Sequence, residues 1–469
     1  MIDMRAKRKR YGGDPLPSAS WDAGILTSRA FGGVPSLSGP NTMNAGQIRT
    51  VLGRVRSAAR NAPIAKRCID LQVTNLVGTG IMPRFRDPTL QAIWLEWEDV
   101  CDADGIRDIY ALQSDAVRAW QEGGEGFVRA RPRRMEDGLP IPLQLELLEP
   151  EMLPYEDWMQ GERHVVQGIE LNAINKPGTY WFYRDHPGEY ILSGMLSNFR
   201  KTPVSVNQVA HLFDPAQAGQ IRGFPPMATV LQKLQMMKDF NEATLERYKL
   251  SAALTFIFTR MGLSESDKGI DPFTGEDITE SQRGQFELPA GSAYQLLPGE
   301  SVHTPDLPSV GGDFAAFVKA NYIEVAAGYG VPYEMLTGDY NNISDRTLRV
   351  VMDEYRRHVT RMQWHRVVPM LMLKIKRWFI DAAILSGRVP VNVDRHCEWV
   401  PPAWPYFHPV QDVAALEHEI KLGLRSHSEV VNSRGNDPKT VREQRRQDMA
   451  EERASGLYST GFNWDTSNV

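Results

Sequence analysis

The sequence is poor in cysteine, in long apolar runs and in net positive charge, and each shortage excludes a class of protein. Its three cysteines, Cys68, Cys101 and Cys397, are too few and too far apart to staple a small secreted domain, so we expect reduced, buried thiols. No apolar run approaches the roughly 18 residues of a membrane helix, and the first residues contain no apolar signal core. A net charge of -5 argues against a protein that holds nucleic acid tightly, because such binding depends on many cationic contacts with phosphates.

Motifs that carry catalysis are also missing. The sequence contains neither a Gly-x-x-x-x-Gly-Lys-Ser/Thr phosphate loop nor a Gly-x-Ser-x-Gly nucleophile turn. The His-Cys-Glu run at 396–398 lacks a second ligand pair, and His418 lacks the second histidine of a zinc-protease helix. We therefore predict a protein that is not an enzyme and needs no cofactor or metal. The Gly-Thr-Gly run at 78–80 is typical of a tight turn into a strand; its alternative reading is a phosphate turn in a nucleotide-dependent enzyme.

What is present indicates a folded chain of several parts. Hydrophobic residues make up 42% of the 469 residues and charged residues 24%, as in folded proteins, and single cores stop growing at roughly 250–300 residues. Residues 1–44 differ from the rest: a short basic run at 5–10 leads into a stretch rich in Gly, Pro and Ser with isolated Trp21 and Phe31. This composition predicts an extended N-terminal arm, and its scattered aromatics are typical of an arm that docks on a neighbouring subunit.

The spacing of apolar residues predicts a mixed helix and sheet region in the first half of the chain. Helical spacing predicts two packed helices within 45–75, a third at 90–100 and a fourth at 109–121, which ends at Gly123 and Gly124. Short β-branched and aromatic runs separated by turns predict a single sheet in one mixed domain, with strands at 127–131, 143–148, 165–171, 180–183 and 204–213.

A stalk that carries a tip is predicted in the middle of the chain. Residues 227–258 contain neither Pro nor Gly, which predicts a helix of roughly 45 Å at about 1.5 Å per residue. A polar, turn-rich stretch with a hairpin signal at 285–297 follows. A second helix is predicted over 314–327, so the two helices form the stalk and the stretch between them the tip.

Beyond the stalk, the sequence predicts a polar loop and a long helix. The loop at 337–343 is rich in residues that favour turns, and Ser344 is placed to cap the next helix. That helix is predicted to reach about 385, with a kink at Pro369. A Pro- and Trp-rich connector and a terminal pair of helices, at 413–422 and 439–454, complete the chain.

Three local patterns resemble the lambda family of phage portal proteins, and the resemblance extends from about 45 to 457. The most specific is the run Ala-Ala-Gly-Tyr-Gly-Val-Pro-Tyr-Glu-Met-Leu-Thr at 326–337, which resembles the end of the family's helix before its channel loop. The others are Trp-Val-Pro-Pro-Ala-Trp-Pro at 399–405 and Gly-Asn-Asp-Pro at 435–438, the latter followed by Glu443, Gln444 and Glu451.

The resemblance implies an α+β portal fold with an α/β wing, a two-helix stem, a small α/β clip and a helical crown. The implied divisions are an arm at 1–44, the first part of the wing at 45–226, stem helices at 227–260 and 310–336, a clip at 261–309, a tunnel loop at 337–343, the second part of the wing at 344–404, a crown at 405–457 and a tail at 458–469.

The implied function is that of one subunit in a ring, twelve-fold in this family, through which double-stranded DNA enters and leaves the capsid. Its implied partners are the terminase large subunit, the head-tail connector, and capsid and scaffold proteins, in a virion assembled in the host cytoplasm. The residues implied to face DNA are Asp339, Tyr340, Asn341 and Asn342, flanked by Gly338 and Ser344. A head-to-tail adaptor or other component of the capsid vertex is the alternative reading.

Overall fold

The computed structural model describes residues 39–41, 47–188, 200–253, 257–260, 300–303, 314–341, 343–406 and 408–455. Within these ranges it confirms the mixed helix and sheet class. Helices of the first half are α1 Ile48–Asn61, α2 Pro63–Leu76, α3 Pro88–Trp97, α4 Ile109–Gly123 and α5 Ala228–Ala253. Those of the second half are α6 Phe314–Tyr329, α7 Tyr333–Thr337, α8 Asp345–Met362, α9 Leu373–Leu385, α10 Pro409–Lys421, α11 His427–Ser433 and α12 Pro438–Ser455.

The strands between α4 and α5 form two antiparallel sheets instead of the single sheet that was predicted. The three-stranded sheet has the order β3 Leu143–Leu148, β2 Glu125–Pro132 and β9 Val209–Phe213. The five-stranded sheet runs in chain order through β4 Trp158–Gln160, β5 Arg163–Val166, β6 Ile169–Leu171, β7 Pro177–Tyr183 and β8 Lys201–Ser205.

Two predicted strands were wrong in the same way, because each is a pair of strands. The stretch 165–171 turns at Gln167 and Gly168, whose φ values of 48° and 81° suit a two-residue hairpin turn. The stretch 204–213 is broken at 206–208 by a 3-10 turn, in which the Ser205 side chain accepts a hydrogen bond from the Asn207 amide. Its two halves therefore belong to different sheets.

The predicted connector near residue 400 contains a strand that the sequence did not indicate. Residues Cys397–Val400 form a strand, β12, that pairs antiparallel with β1, Met82–Phe85. The Pro- and Trp-rich composition predicts an extended connector here, and it gives no sign of this pairing. The terminal region also contains the short helix α11 between the two helices that were predicted.

The main core joins the N-terminal helices, the three-stranded sheet and the helices α8 and α9. Trp94 and Trp97 of α3 lie with ring centroids 4.9 and 5.3 Å from that of Phe379 in α9. The Trp97 indole donates a hydrogen bond to the Leu143 carbonyl at 2.8 Å. Pro369, the predicted kink, lies in the π-helical turns Gln363–Met372 that join α8 to α9, where the wider winding accommodates a residue without an N–H.

The long helices α5 and α6 pack antiparallel, as the stalk prediction requires. Near one end Thr229 donates to the Gly328 carbonyl at 3.1 Å, and Lys233 pairs with Glu324 at 2.8 Å. A Cβ at Gly328 would lie 2.6 Å from Val230, so glycine permits this close approach. Beyond the other end, β10 Ile257–Arg260 pairs with β11 Glu300–His303. The predicted hairpin at 285–297 lies outside the described residues.

Candidate functional site

The polar loop, residues 337–343, is fixed at both ends by helix termini. Helix α7 ends at Thr337 and is capped by Gly338, whose φ of 73° is one that glycine adopts without strain. At the other end the Ser344 hydroxyl accepts a hydrogen bond from the Thr347 amide at 3.1 Å, which confirms the predicted N-cap of α8. The loop is therefore a short link between two defined helix ends.

Asp339 organises the loop from within. Its Oδ1 accepts hydrogen bonds from the backbone amide of Asn341 at 3.2 Å and from the side-chain amide of the same residue at 2.9 Å. Its Oδ2 accepts one from the Tyr333 hydroxyl at 3.1 Å and another from the Lys319 ammonium group at 3.3 Å. The Asn341 backbone donor, followed by the Tyr333 hydroxyl, lowers the pKa of Asp339, so its carboxyl group is charged at neutral pH.

Lys319 reaches the loop from helix α6. Its Nζ lies 5.2 Å from the centroid of the Tyr333 ring as well as against Asp339. Contact between an ammonium group and an aromatic face is favourable at this range. Lys319 thus compensates the one acidic charge of the loop and connects the loop to the second helix of the stalk.

The predicted loop residues differ in exposure. Tyr340 is 53% exposed, and Asn341 is exposed although its side chain contacts Asp339. Asn342 lies outside the described residues. The structure therefore brings Asp339 and Asn341 into one turn and leaves Tyr340 as the large side chain that the loop presents to its surroundings.

Sequence reasoning missed Lys319 and Tyr333 as partners of the loop. Lys319 precedes Asp339 by 20 residues, and no local spacing rule connects a lysine in one helix with an aspartate in a later loop. Tyr333 belongs to the run at 326–337, in which the family resemblance assigns no role to this tyrosine.

A second polar constellation, which we call the Arg222 cluster, lies buried between the two sheets. It comprises Arg222, Glu125 and His211. Arg222 Nε donates to Glu125 Oε1 at 2.8 Å, and Arg222 Nη2 forms a further contact with the same oxygen. The Nε2 atom of His211 lies 3.0 Å from Glu125 Oε2, which also accepts a hydrogen bond from the Gly223 amide at 2.9 Å. Arg222 and Glu125 are 0% exposed.

Burial and the contacts within the Arg222 cluster together set the protonation states of Glu125 and His211. Desolvation raises the pKa of Glu125, but the Arg222 charge and the hydrogen bond from His211 outweigh it and hold this pKa below its usual value. Burial lowers the pKa of His211 in spite of Glu125, so the imidazole is neutral at neutral pH. A neutral His211 that donates from Nε2 can accept from the Tyr180 hydroxyl, which lies 3.3 Å from its Nδ1. The cluster is a closed, paired network that solvent does not reach, which suits stabilisation.

The Gly-Thr-Gly turn at 78–80 has a packing explanation. A Cβ at Gly80, whose φ is 112°, would lie 2.2 Å from the ring of Tyr110, and one at Gly78 would lie 3.0 Å from Pro402. The turn follows the C-terminus of α2, where the helix dipole is negative and repels phosphate. These observations favour the tight turn over a nucleotide site.

Within the described part of the chain, no group of three or more His, Cys, Asp or Glu side chains could hold a metal ion. Cys68 and Cys101 are buried, as predicted, and Cys397 is partly buried. Burial raises the pKa of the Cys68 thiol to about 12, so this thiol is protonated at neutral pH. None of the described helices is long and apolar enough to cross a membrane.

The chain is similar to known proteins over most of its length. Residues 27–363 match the model of the family described as phage portal protein, lambda family. The chain is 25% identical over 434 residues to the probable portal protein of Halomonas phage phiHAP-1, a match that covers 87% of this chain and 81% of the relative. It is 22% identical over 407 residues to portal protein B of Escherichia phage lambda, which covers 78% of this chain and 74% of the relative.

Solved structures with a similar chain are described as parts of a gene transfer agent (GTA) particle. A chain from the neck of the native particle, computed with twelve-fold cyclic symmetry, is 17% identical with a TM-score of 0.46, over 87% of this chain and 97% of that chain. A chain from the virion of the native particle is 15% identical with a TM-score of 0.46, over the same shares of 87% and 97%.

Proposed function

The chain belongs to the lambda family of phage portal proteins, and from this premise we propose that it is the subunit of a closed ring that conducts double-stranded DNA into and out of the capsid. A role at the portal vertex follows from the family. The ring, twelve-fold by the family resemblance, requires head-to-tail contacts that close by rotation. Family membership favours this function over a separate head-to-tail adaptor.

The observation that supports the channel most directly is the polar loop at the base of the helical hairpin. It is short, held at both ends, and anchored to α6 through Asp339 and Lys319. Its acidic charge is compensated, and it exposes Tyr340 and Asn341, which are uncharged. DNA binds strongly where many cations neutralise phosphates, so a loop of this kind touches passing DNA with little attraction.

The remaining divisions of the molecule take their proposed roles from this arrangement. Helices α5 and α6 form the stem, and the strand pair β10 and β11 marks the entrance to the clip, where the terminase large subunit and later the head-tail connector dock. The two sheets with α1–α4, α8 and α9 form the wing. Helices α10–α12 form the crown inside the capsid, and capsid and scaffold proteins meet the ring during assembly in the host cytoplasm. ATP hydrolysis belongs to the terminase.

Packaging by rings with an altered loop tests this function. We expect Tyr340→Ala and Asn341→Ala to assemble rings of normal appearance in negative-stain images, because neither residue belongs to a core. We expect both to reduce the amount of DNase-protected DNA in a packaging reaction severalfold. Ile106→Ala is the matched control, because Ile106 is 80% exposed outside the loop. Normal packaging by rings that lack residues 339–342 would show that the loop does not guide DNA.

A further inference from the structure

A basic groove of about 840 Å³ lies between helix α8 and the terminal helices. Its walls are formed by α8, the connector at 404–406, α10 and residues 425, 433 and 434 at either side of α11. The arginines that line it are Arg349, Arg356, Arg357, Arg425 and Arg434. The carboxylates that line it are Asp353, Asp412 and Glu419, so two positive charges are in excess. The groove therefore suits a partner that carries carboxylates.

The connector holds two of these arginines in fixed positions. Arg356 donates a hydrogen bond to the Pro405 carbonyl at 3.0 Å, and its guanidinium group lies 5.1 Å from the centroid of the Trp404 ring. Arg434 donates to the Trp404 carbonyl at 2.9 Å and lies over the ring of Tyr406. Burial lowers the pKa of Arg356, and the nearby charge of Arg434 acts in the same direction. A carboxylate brought into the groove would therefore stabilise both guanidinium groups.

Helix α12 has no buried face within the described part of its own chain. None of its 18 residues is buried there, and Met449 is 40% exposed. It is connected to α11 by a hydrogen bond from Arg442 to the Ser428 hydroxyl, and it carries an exposed ion pair between Arg446 and Glu443. Such contacts add little stability, and a helix that is polar on all sides is stable only where another body supports it. Helix α12 therefore needs a partner surface.

The second half of α12 is complementary to the groove. Asp448, Met449 and Glu452 lie on one face of the helix, because residues three and four apart are neighbours on its surface, and all three are exposed. The two carboxylates match the two excess positive charges. Met449 matches the apolar part of the groove, which includes Val350 and Leu416. Glu452 also lies in the last turn of α12, where the helix dipole disfavours a negative charge, so a cation from outside would stabilise it.

We propose that the face of α12 formed by Asp448, Met449 and Glu452 docks in this groove of the next copy of the chain. The proposal rests on the ring of the proposed function, whose head-to-tail contacts require two different, complementary surfaces on each copy. Among the described residues that line the groove, none belongs to α12. The DNA backbone could neutralise the arginines but offers no apolar group to Val350 and Leu416, so the groove fits a helix of mixed character better.

Disulfide cross-linking between two different chains tests the contact. Chains with Val350→Cys and chains with Met449→Cys are mixed, assembled into rings and treated with an added oxidant. We expect a covalent dimer of the two chains, because a disulfide forms only where the two Cα atoms come within about 7 Å of each other. The matched control mixes Val350→Cys with Glu443→Cys, since Glu443 lies on the opposite face of α12, and it should give no such dimer. The parent shows any background from the partly buried Cys397.

Removing the two charges gives a second measurement. Asp448→Asn combined with Glu452→Gln should raise the protein concentration needed for half-assembly about tenfold at low salt, whereas Glu443→Gln should leave it unchanged.

Three results would overturn the docking. Rings in negative-stain images that give no cross-link would exclude this contact and leave the ring of the proposed function intact, whereas a parent that forms no rings would exclude both. A chain with both cysteines that cross-links within itself at concentrations too low for rings would place α12 in the groove of its own subunit. A cross-link that short duplex DNA abolishes, together with DNA binding that Arg349→Gln weakens, would assign the groove to DNA.

Discussion

The Arg222 cluster and the polar loop use the same chemical groups in opposite surroundings. Each pairs a carboxylate with a cation; a tyrosine hydroxyl donates to Asp339 in the loop, whereas His211 is the third member of the cluster. Glu125 and Arg222 are fully buried, whereas the side chains of Asp339 and Lys319 are 27% and 47% exposed. In the low dielectric of the interior, loss of one partner leaves an uncompensated charge, but at the surface water replaces the partner. The comparison indicates that the buried network stabilises the fold, and the exposed one sets the position of a loop.

The largest loss of stability is expected from a substitution in the buried Arg222 cluster. Arg222→Met leaves the Glu125 carboxylate buried without its cation, which should lower the free energy of unfolding by about 3–5 kcal/mol. Urea denaturation of the variant measures the loss. The double variant Arg222→Met with Glu125→Gln should recover part of the stability, since it removes the orphaned charge and retains an acceptor for Gly223. A single variant as stable as the parent would show that the pair is not a stabilising element.

The next largest loss of stability is expected on acidification, and His211 is its cause. Its folded-state pKa is lowered by burial, with Arg222 and Lys374 acting in the same direction and Glu125 in the opposite one. Below about pH 6.5 the unfolded chain binds a proton that the folded chain refuses, so this contribution to stability is present above that pH and is lost as pH falls. For this one histidine, the free energy of unfolding should fall by at most about 1.4 kcal/mol for each pH unit.

Urea denaturation of the parent and of His211→Gln between pH 7.5 and 5 measures how the free energy of unfolding changes with pH. This range brackets the usual histidine pKa of roughly 6.5. The parent should lose stability more steeply than the variant as pH falls. His164→Gln is the control substitution, at an exposed position in β5. Parallel slopes for the parent and His211→Gln would contradict a neutral buried imidazole.

The two regions also differ in how much of them the sequence predicts. Helices α1, α2, α4, α5, α6 and α8 are confirmed because apolar periodicity and caps such as Ser344 are local signals. The loop could be located from its turn residues in the same way. Contacts between distant residues have no local signal: nothing near Glu125 specifies Arg222, and nothing near Asp339 specifies Lys319. The strand β12 was missed for this reason, because its partner β1 lies near the other end of the chain.

The smallest effect on stability, and the sharpest contrast, is expected at Asp339. The neutral variant Asp339→Asn retains an acceptor for Asn341 but loses the charge that faces Lys319. The loss should cost little stability, because exposed ion pairs add little to the stability of a fold. Its urea midpoint should therefore equal that of the parent, whereas Arg222→Met should shift it strongly. Packaging should fall, because the loop is no longer tied to α6. Lys319→Met should reproduce the defect, and Lys319→Arg, which keeps the charge, should restore packaging. If Asp339→Asn lost as much stability as Arg222→Met, the loop network would be part of the folding core and the distinction between the two regions would fail.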